Sequence, residues 1–456
     1  MTTARTRHRV ASGAGGRGSA GVVVHSAPLM LPVAGPPLRE GALAVRRGRV
    51  LAAGPRREVA GAFREHREVR WDGVVVAGLV NAHTHLQFSC LARLGRRRYG
   101  SLEEWSTAFD AAYAEASSAP DALATGRRRG RKVDWAAAAR KGARAAIASG
   151  TTAVADVVTD MEAAAAYAEA GLTGMAYLEV LGDTEESWHA EGRERLITAL
   201  QEAGLPMGVS PHAVYALDVA VLEDLALLAR SYRVRQQIHL AESAHEREYT
   251  VRGTGPLARM VRDLGFDFAV LREGGTGLGP VDLLDGMGVF GEHCHVAHAV
   301  YLTPDERRVL RKRGTVIALC PRSNRTLGLD TPQVAALLEE GNPIAVGTDS
   351  LASSPSMDLL EDVRLLRDLA REQGYTDADL ERRLVGAATE GGARALGMAS
   401  GPGRIGALIP GARADFAVFD IDTGTREPYR TLIEEGPGRC AATVIAGRRV
   451  WQRARS

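Results

Sequence analysis

The sequence predicts an α/β protein that combines a (β/α)8 TIM barrel with a small β-sandwich domain built from both chain ends. Two observations predict this fold. Short apolar segments alternate with helical segments through the middle of the chain, and both ends are rich in strand-like segments separated by glycine and proline. The 456 residues exceed the usual size of one compact domain, and 45% hydrophobic with 25% charged residues is typical of a globular protein.

The two ends of the chain share a strand-like sequence pattern. Residues 41–50 form a hairpin pattern in which apolar runs flank a glycine-containing turn. Ala414–Asp420 and Ala442–Trp451 are strand-like segments near the other end. We therefore expect a disordered N-terminus at residues 1–19 and a small β-sandwich domain formed by residues 20–72 together with 405–452. The barrel should span residues 73–404.

The middle of the chain supplies the predicted barrel strands. Segments with helical periodicity, such as Ala136–Ala148 and Pro304–Lys312, lie between most of them. An open doubly wound sheet is the alternative, but no glycine-rich phosphate loop follows the first strand. The predicted strands are Val74–Val80, Thr152–Val158, Thr173–Val180, Met207–Ser210, Gln236–Leu240, His293–His298, Thr315–Cys320 and Ile344–Gly347.

Two longer insertions interrupt the alternation, at Gly95–Val133 and Gly253–Gly288. The first carries two basic runs, Arg96–Arg98 and Arg127–Lys132. Such runs are typical of a solvated loop. The functional alternative is a lid whose arginines contact an acidic substrate.

Charge and cysteine content exclude several classes of function. Lys+Arg is 57 and Asp+Glu is 55, so the formal net charge of +2 favours neither nucleic acid nor a membrane surface as a partner. Four scattered cysteines form no C-x-x-C pair, which predicts a reduced, cytoplasmic location. No apolar run reaches the roughly 18 residues of a membrane span.

Polar residues lie where the predicted strands end. His83 and His85 close the first strand, and residues i and i+2 of a strand face the same side, so both imidazoles should point into the barrel. His239 ends the fifth strand, His298 the sixth and Asp349 the eighth. Each alone is explained as a hydrogen-bonded core residue or a helix cap. Their recurrence at strand ends, which a barrel gathers around one mouth, favours a metal site with room for water.

Glu242 lies three residues beyond His239, just past the strand end. This offset places its carboxylate beside the metal without coordinating it. A metal lowers the pKa of its bound water towards about 7, and a neighbouring carboxylate can take that proton and deliver it to a substrate. The structural alternative is an acid in the first turn of a helix, which the helix dipole favours.

Together these motifs resemble the amidohydrolase superfamily, over nearly the whole chain. Within it they are similar to the mononuclear deaminase and chlorohydrolase branch, which includes guanine, cytosine and S-adenosylhomocysteine deaminases. No lysine lies near the fourth strand end to supply the carboxylated bridge of binuclear members, which favours one metal. The matching strings are Asn81–Gln87, His239–Glu242, His298, Cys320–Asn324 and Gly347–Ser350.

The resemblance implies a hydrolase that binds one divalent ion, Zn²⁺ or alternatively Fe²⁺, and it suggests a homodimer. Water attacks an amino-substituted aromatic carbon, and loss of ammonia leaves a carbonyl. Glu242 shuttles the protons, His298 positions the water without binding the metal, and Asp349 also accepts a hydrogen bond from the hydroxide. The implied metal ligands are His83, His85, His239 and Asp349.

Three further residues are candidates for contacting the substrate. Gln87 and Trp105 are expected to contact the base. His212 corresponds to a ribose-contacting position in nucleoside deaminases, and a buried barrel histidine is an equal alternative for it.

Several local strings are most similar to those of aminodeoxyfutalosine deaminases, which act in menaquinone biosynthesis. These strings imply an adenine nucleoside substrate with a carboxyphenyl ketone on its 5′ carbon, and they suggest arginines near the mouth that pair with the carboxylate. Gln87 departs from the pattern, because several relatives have an acid there. The strings are His83–Ser89, Leu102–Trp105, His239–Ser243 with Glu246 and Glu248 downstream, and Ser353–Asp358.

Two other classes of function stay open at this stage. The first is another hydrolase on the same site, with S-adenosylhomocysteine, adenosine, guanine or a triazine as substrate. The second is a non-catalytic barrel that serves as a scaffold, which the complete set of candidate ligands argues against.

Overall fold

The computed structural model describes residues 21–118, 132–422 and 424–454. Two sheets of eight strands dominate it. The expected N-terminal tail, residues 1–19, lies outside the described residues. The strands are β1 (Val22–Leu31), β2 (Leu38–Arg46), β3 (Arg49–Pro55), β4 (His66–Arg70), β5 (Val74–Ala77), β6 (Leu79–Thr84), β7 (Thr151–Val158), β8 (Thr173–Val180), β9 (Met207–Pro211), β10 (Gln236–Leu240), β11 (Cys294–His298), β12 (Val316–Leu319), β13 (Ile344–Val346), β14 (Phe416–Phe419), β15 (Cys440–Ile445) and β16 (Arg448–Gln452).

The helices lie between and outside these strands. They are α1 (Arg56–Ala62), α2 (Leu102–Ser117), α3 (Trp135–Ala148), α4 (Ala166–Glu169), α5 (Glu185–Ser187), α6 (Arg193–Glu202), α7 (Val219–Tyr232), α8 (Glu246–Arg252), α9 (Gly255–Asp263), α10 (Ala269–Glu273), α11 (Pro280–Gly286), α12 (Pro304–Arg313), α13 (Pro321–Thr326), α14 (Val334–Glu339), α15 (Leu359–Glu372), α16 (Leu380–Gly386), α17 (Gly392–Ala395) and α18 (Pro428–Glu435).

The predicted barrel is confirmed. Strands β6 to β13 pair in sequence order, and each neighbouring pair is parallel. A parallel bridge between Thr84 and Asp349 brings the first and last strands of this sheet together. Strand β7 shows why these segments become barrel strands, because its sequence TTAVADVV is rich in β-branched residues and is buried on both faces.

Local sequence signals explain where the connecting helices begin and end, and α12 is an example. Thr303 and Glu306 form a reciprocal capping box, and Pro304 occupies the first helical position. Gly314 adopts a left-handed conformation (φ 72°) at the end of the helix. These signals fix the point at which the chain returns to β12.

The first predicted barrel strand, Val74–Val80, is wrong in its boundaries, because the structure divides it at Gly78. Strand β5 pairs with β1 and β14 in the other sheet, and β6 begins the barrel. A Cβ atom at Gly78 would lie 2.2 Å from the Thr152 hydroxyl oxygen, so only glycine permits this close approach. Both strands are buried and the run that joins them is apolar, so the boundary between them cannot be recognised from the hydrophobic pattern of the sequence.

The second sheet is built from both ends of the chain, as the sequence predicts. Its order is β16-β15-β14-β5-β1-β2-β3, and β4 pairs with the first half of β1 while β5 pairs with the second half.

All four cysteines of the chain are free. Within the described ranges, no helix combines the length and the apolar character needed to cross a membrane.

His25 makes the stability of the end-derived sheet depend on pH. It is buried beside the rings of Trp71 and Phe416, and Trp71 Nε1 donates to its Nδ1 at 3.3 Å. Burial, with a further contribution from the charge of Arg67, lowers the pKa of His25 to about 4. The unfolded chain therefore binds the proton more tightly, and the free energy of unfolding falls as pH drops from about 6.5 towards 4.

We predict that His25→Gln weakens this pH dependence, because glutamine keeps an acceptor for Trp71 and does not titrate. Between pH 7.5 and 5.5 the parent should lose about 1.4 kcal/mol more unfolding free energy than the variant. Urea unfolding at three pH values measures the difference. Parallel pH dependences of parent and variant would show that His25 is not responsible.

Candidate active site

The carboxyl ends of the barrel strands bring the predicted site residues together. The ring centroid of His83 lies 5.0 Å from that of His85 and 4.9 Å from that of His239. Asp349 Oδ1 lies 3.5 Å from His83 Nε2 and 3.6 Å from His85 Nε2. Candidate ligand atoms of the three histidines all lie within 4.8 Å of one another. His298 joins them from β11, with its ring 5.3 Å from that of His83.

Hydrogen bonds orient the imidazoles. His239 Nδ1 donates to the His212 carbonyl oxygen at 2.8 Å, and His83 Nδ1 faces the side-chain amide of Gln237. In both rings Nε2 is left to face the centre. His83 Nε2 is buried and has no hydrogen-bond partner among the described residues.

This donor set fits a divalent metal. A buried nitrogen without a partner is costly unless a ligand satisfies it. Imidazole nitrogens together with a carboxylate oxygen are ligands that Zn²⁺ and similar ions use in proteins. The geometry around His83 Nε2 therefore matches the expectation drawn from the strand-end pattern.

Asp349 presents one oxygen to this centre. The hydroxyls of Ser323 and Ser353 donate to Oδ2 at 2.6 and 2.8 Å, which leaves Oδ1 towards His83 and His85. Burial raises the pKa of Asp349, but the close approach of His83 and the charges of His83 and His85 outweigh burial and hold the pKa well below its ordinary value. The carboxyl group is therefore ionised.

The backbone at or just after the ends of β10, β11 and β13 has unusual dihedral angles. Ala241 (φ 48°), His298 (φ 71°) and Asp349 (φ 58°) are non-glycine residues in the left-handed region. The buried carboxylate of Glu246 accepts hydrogen bonds from the backbone N–H groups of Ala241 and Glu242, at 3.0 and 3.1 Å. Glu246 thus fixes the turn that carries Glu242.

Glu242 lies beside the centre. Its Oε1 is 3.5 Å from His298 Nε2, and both side chains are buried. Burial, and then the charges of Asp349 and Glu246, raise the pKa of Glu242 well above its ordinary value. Burial lowers the pKa of His298 to about 3, so this imidazole is neutral near pH 7. Glu242 is therefore placed to hold and release a proton.

A cavity of about 240 Å³ opens from the centre. Its wall contains a series of aromatic rings from α2, in which Trp105 stacks on Phe109 (5.0 Å) and Phe109 on Tyr113 (6.0 Å). Trp105 Nε1 donates to the Ala352 carbonyl oxygen at 3.0 Å, which fixes the indole. Both insertions contribute, since α2 belongs to the first and the cavity-lining residues Met260 and Val261 belong to the second. Such a wall suits a flat ring.

The other two predicted substrate contacts differ in their surroundings. His212 lines the cavity from the end of β9, and burial lowers its pKa to about 4. Gln87 is buried below the cavity surface, where its amide nitrogen donates to Asp160 at 2.8 Å and its oxygen accepts from the N–H groups of Thr159 and Asp160. Gln87 thus braces the loop after β7, and a direct contact with the base stays a prediction.

The arginines expected at the mouth do not line the cavity within the described part of the chain. Arg97 packs over the ring of Tyr99, with 4.3 Å between its guanidinium carbon and the ring centroid. Residues 127–131 lie outside the described residues.

Several residues that hold the ligands or line the cavity have roles that were not predicted from the sequence. Gln237 has a sequence signal, because it stands two residues before His239 and so faces the same side of β10. Glu179 has one as well, since it is an acid at the end of the third barrel strand. Ser323, Ser353 and Glu246 belong to strings that resemble the family, but the strings do not give their roles, because their partners are remote or depend on the turn geometry.

Residues 74–450 match the Amidohydrolase family. The chain belongs to this family. The predicted resemblance is thereby confirmed, and with deaminases among its relatives the protein is a hydrolase that acts on C–N bonds.

Two relatives and one solved structure illustrate what the chain is similar to. Aminodeoxyfutalosine deaminase of Deinococcus radiodurans is 32% identical over 358 residues, covering 76% of this chain and 79% of the relative. The 5-methylthioadenosine/S-adenosylhomocysteine deaminase of Nitratidesulfovibrio vulgaris is 28% identical over 429 residues, covering 91% and 88%. The crystal structure of an adenosine deaminase from Xanthomonas campestris with bound zinc has the same fold, with a TM-score of 0.73, 23% identity and coverage of 94% and 92%.

We predict that the contact between Gln237 and His83 tunes the affinity for metal. Gln237→Leu removes the partner that orients the imidazole, and the affinity for Zn²⁺ should fall about 10- to 100-fold. Competition with a chelating dye measures it. Gln236→Leu is the matched control, because Gln236 is the preceding residue on β10 and faces the opposite side. Equal affinities of Gln237→Leu and the parent would refute this orienting role.

Proposed function

We propose that this protein is a metal-dependent deaminase that hydrolyses the 6-amino group of an adenine nucleoside and releases ammonia. The observation that carries the proposal is the convergence of the strand-end histidines and Asp349 on one centre, with the protonatable carboxyl of Glu242 beside it. The aromatic wall of the cavity supports a purine ring as the flat part of the substrate.

We assign aminodeoxyfutalosine as the substrate and futalosine as the product, which is a step of menaquinone biosynthesis. The relative with that activity is 32% identical over three quarters of this chain. A second candidate is 5-methylthioadenosine or S-adenosylhomocysteine, which the relative that covers 91% of the chain supports. The cytoplasmic location and the homodimer stay predictions from the sequence.

His83, His85, His239 and Asp349 would hold the metal, and we assign Zn²⁺ to it because the donor set and the zinc-containing relative favour it over Fe²⁺. When bound, the ion supplies Lewis-acid chemistry that brings the pKa of a coordinated water to about 7. Beside such a cation the Glu242 carboxyl would be ionised and therefore able to accept a proton from water.

Side chains of the protein then transfer the protons. Glu242 accepts a proton from the attacking water and passes it to the ring nitrogen beside C6. The water oxygen bonds to C6, which becomes tetrahedral. Glu242 takes the second proton of the water and delivers it to the amino group. The C–N bond then breaks, ammonia departs, and a carbonyl group remains at C6. His298, 3.5 Å from Glu242 and neutral, holds the water in line by hydrogen bonding.

A substrate panel tests the proposal. The purified Zn²⁺ protein is assayed for ammonia release from aminodeoxyfutalosine, 5-methylthioadenosine, S-adenosylhomocysteine, adenosine and guanine, and for chloride release from a chlorotriazine. We expect the highest kcat/KM with aminodeoxyfutalosine. Faster turnover of 5-methylthioadenosine would select the second candidate, and turnover of guanine or the triazine alone would overturn the assignment to adenine nucleosides.

We predict that Glu242→Gln binds Zn²⁺ as the parent does and lowers kcat by about 10²- to 10⁴-fold, because the amide cannot carry protons. Metal content and ammonia release are measured on the same samples. Glu248→Gln is the matched control, because Glu248 lies nearby on α8 but is exposed. A fully active Glu242→Gln protein would exclude Glu242 as the proton carrier.

A further inference from the structure

Glu179 is a buried carboxylate whose second oxygen has no partner. It ends β8, lines the cavity, and its side chain is only 4% exposed. The Thr159 hydroxyl donates to Oε2 at 2.5 Å, whereas Oε1 is buried without a hydrogen-bond partner among the described residues. An unsatisfied buried acceptor is costly, so a ligand that donates to Oε1 gains affinity from it.

His212 stands across a gap from this oxygen. Its Nε2 lies 4.0 Å from Glu179 Oε1, which is too long for a hydrogen bond. A hydroxyl oxygen placed about 2.8 Å from both atoms would subtend an angle of about 90°, so it can donate to Glu179 and accept from His212. The gap therefore has the size of one bridging hydroxyl.

A shared metal ion does not explain the gap. Glu179, His212 and His239 have ligand atoms within 4.8 Å of one another. However, His239 Nδ1 is bonded to the His212 carbonyl oxygen, and its Nε2 faces the centre formed with His83 and His85. Only two ligands remain for a second ion, which is fewer than a stable site requires.

The chemistry of an adenine nucleoside identifies the donor. The base has acceptors at its ring nitrogens, and its only N–H donor is the 6-amino group, which must lie at the reacting centre beside Glu242. The remaining strong donors are the hydroxyls of the sugar. The family resemblance already implies a ribose contact for His212. We propose that Glu179 completes a clamp with His212 on one ribose hydroxyl of the substrate, so that Glu179 selects ribonucleosides over deoxynucleosides; this inference rests on the proposed function.

Substitutions in the enzyme, combined with deoxy analogues of the substrate, test the clamp. Adenosine, 2′-deoxyadenosine and 3′-deoxyadenosine are compared as substrates and as inhibitors of aminodeoxyfutalosine deamination. The parent should prefer adenosine over one of the two deoxy compounds by about 100-fold or more, because the missing hydroxyl leaves Glu179 unpaired. In Glu179→Ala this preference should fall below about fivefold, and Glu179→Gln should retain part of it, since an amide still bonds to a hydroxyl.

Asp110→Asn is the matched control, because Asp110 is another carboxylate that lines the same cavity. It should leave the ratio between adenosine and the deoxy compounds unchanged. The clamp is overturned if Glu179→Ala and Glu179→Gln keep the parental ratio, or if Asp110→Asn lowers it equally. Absence of deamination with every adenine nucleoside would instead refute the proposed function, so the two failures are distinguishable.

Discussion

The site depends on the closure of the barrel between its first and last strands. The N–H of Asp349 donates to the carbonyl oxygen of His83 at 3.0 Å, and Thr84 and Asp349 form the bridge between these strand ends. A Cβ atom at Gly347 would lie 2.8 Å from the Cβ of His83, so glycine allows the close approach. The contact that closes the cylinder thus also sets the Asp349 carboxylate beside the imidazoles.

The strained turns above the strands are supported by this rigid frame. Left-handed conformations at Ala241, His298 and Asp349 each cost roughly 1–2 kcal/mol for a residue with a side chain. Buried hydrogen bonds compensate, above all those that Glu246 accepts from the backbone N–H groups of the turn after β10. Strain supported in this way is common at functional sites, because it directs side chains that relaxed turns would point elsewhere.

The sequence predicts the barrel and the central residues, because each candidate ligand stands at a strand end and parallel strands gather those ends. It does not predict the division at Gly78, since apolar runs look alike in both sheets. Nor does it show that the Gln87 amide is bonded to Asp160 and the backbone, which depends on how the loop after β7 folds. Glu179 could have been found from its strand-end position, whereas its unpartnered oxygen is visible only in three dimensions.

Anomalous diffraction at the zinc edge, from crystals of the protein loaded with one equivalent of Zn²⁺, would locate the metal ion. We expect one strong peak, about 2.0–2.2 Å from nitrogens of His83, His85 and His239 and from an oxygen of Asp349. A peak elsewhere, or an ion held without His239 and Asp349, would contradict the claim that barrel closure assembles a single metal centre.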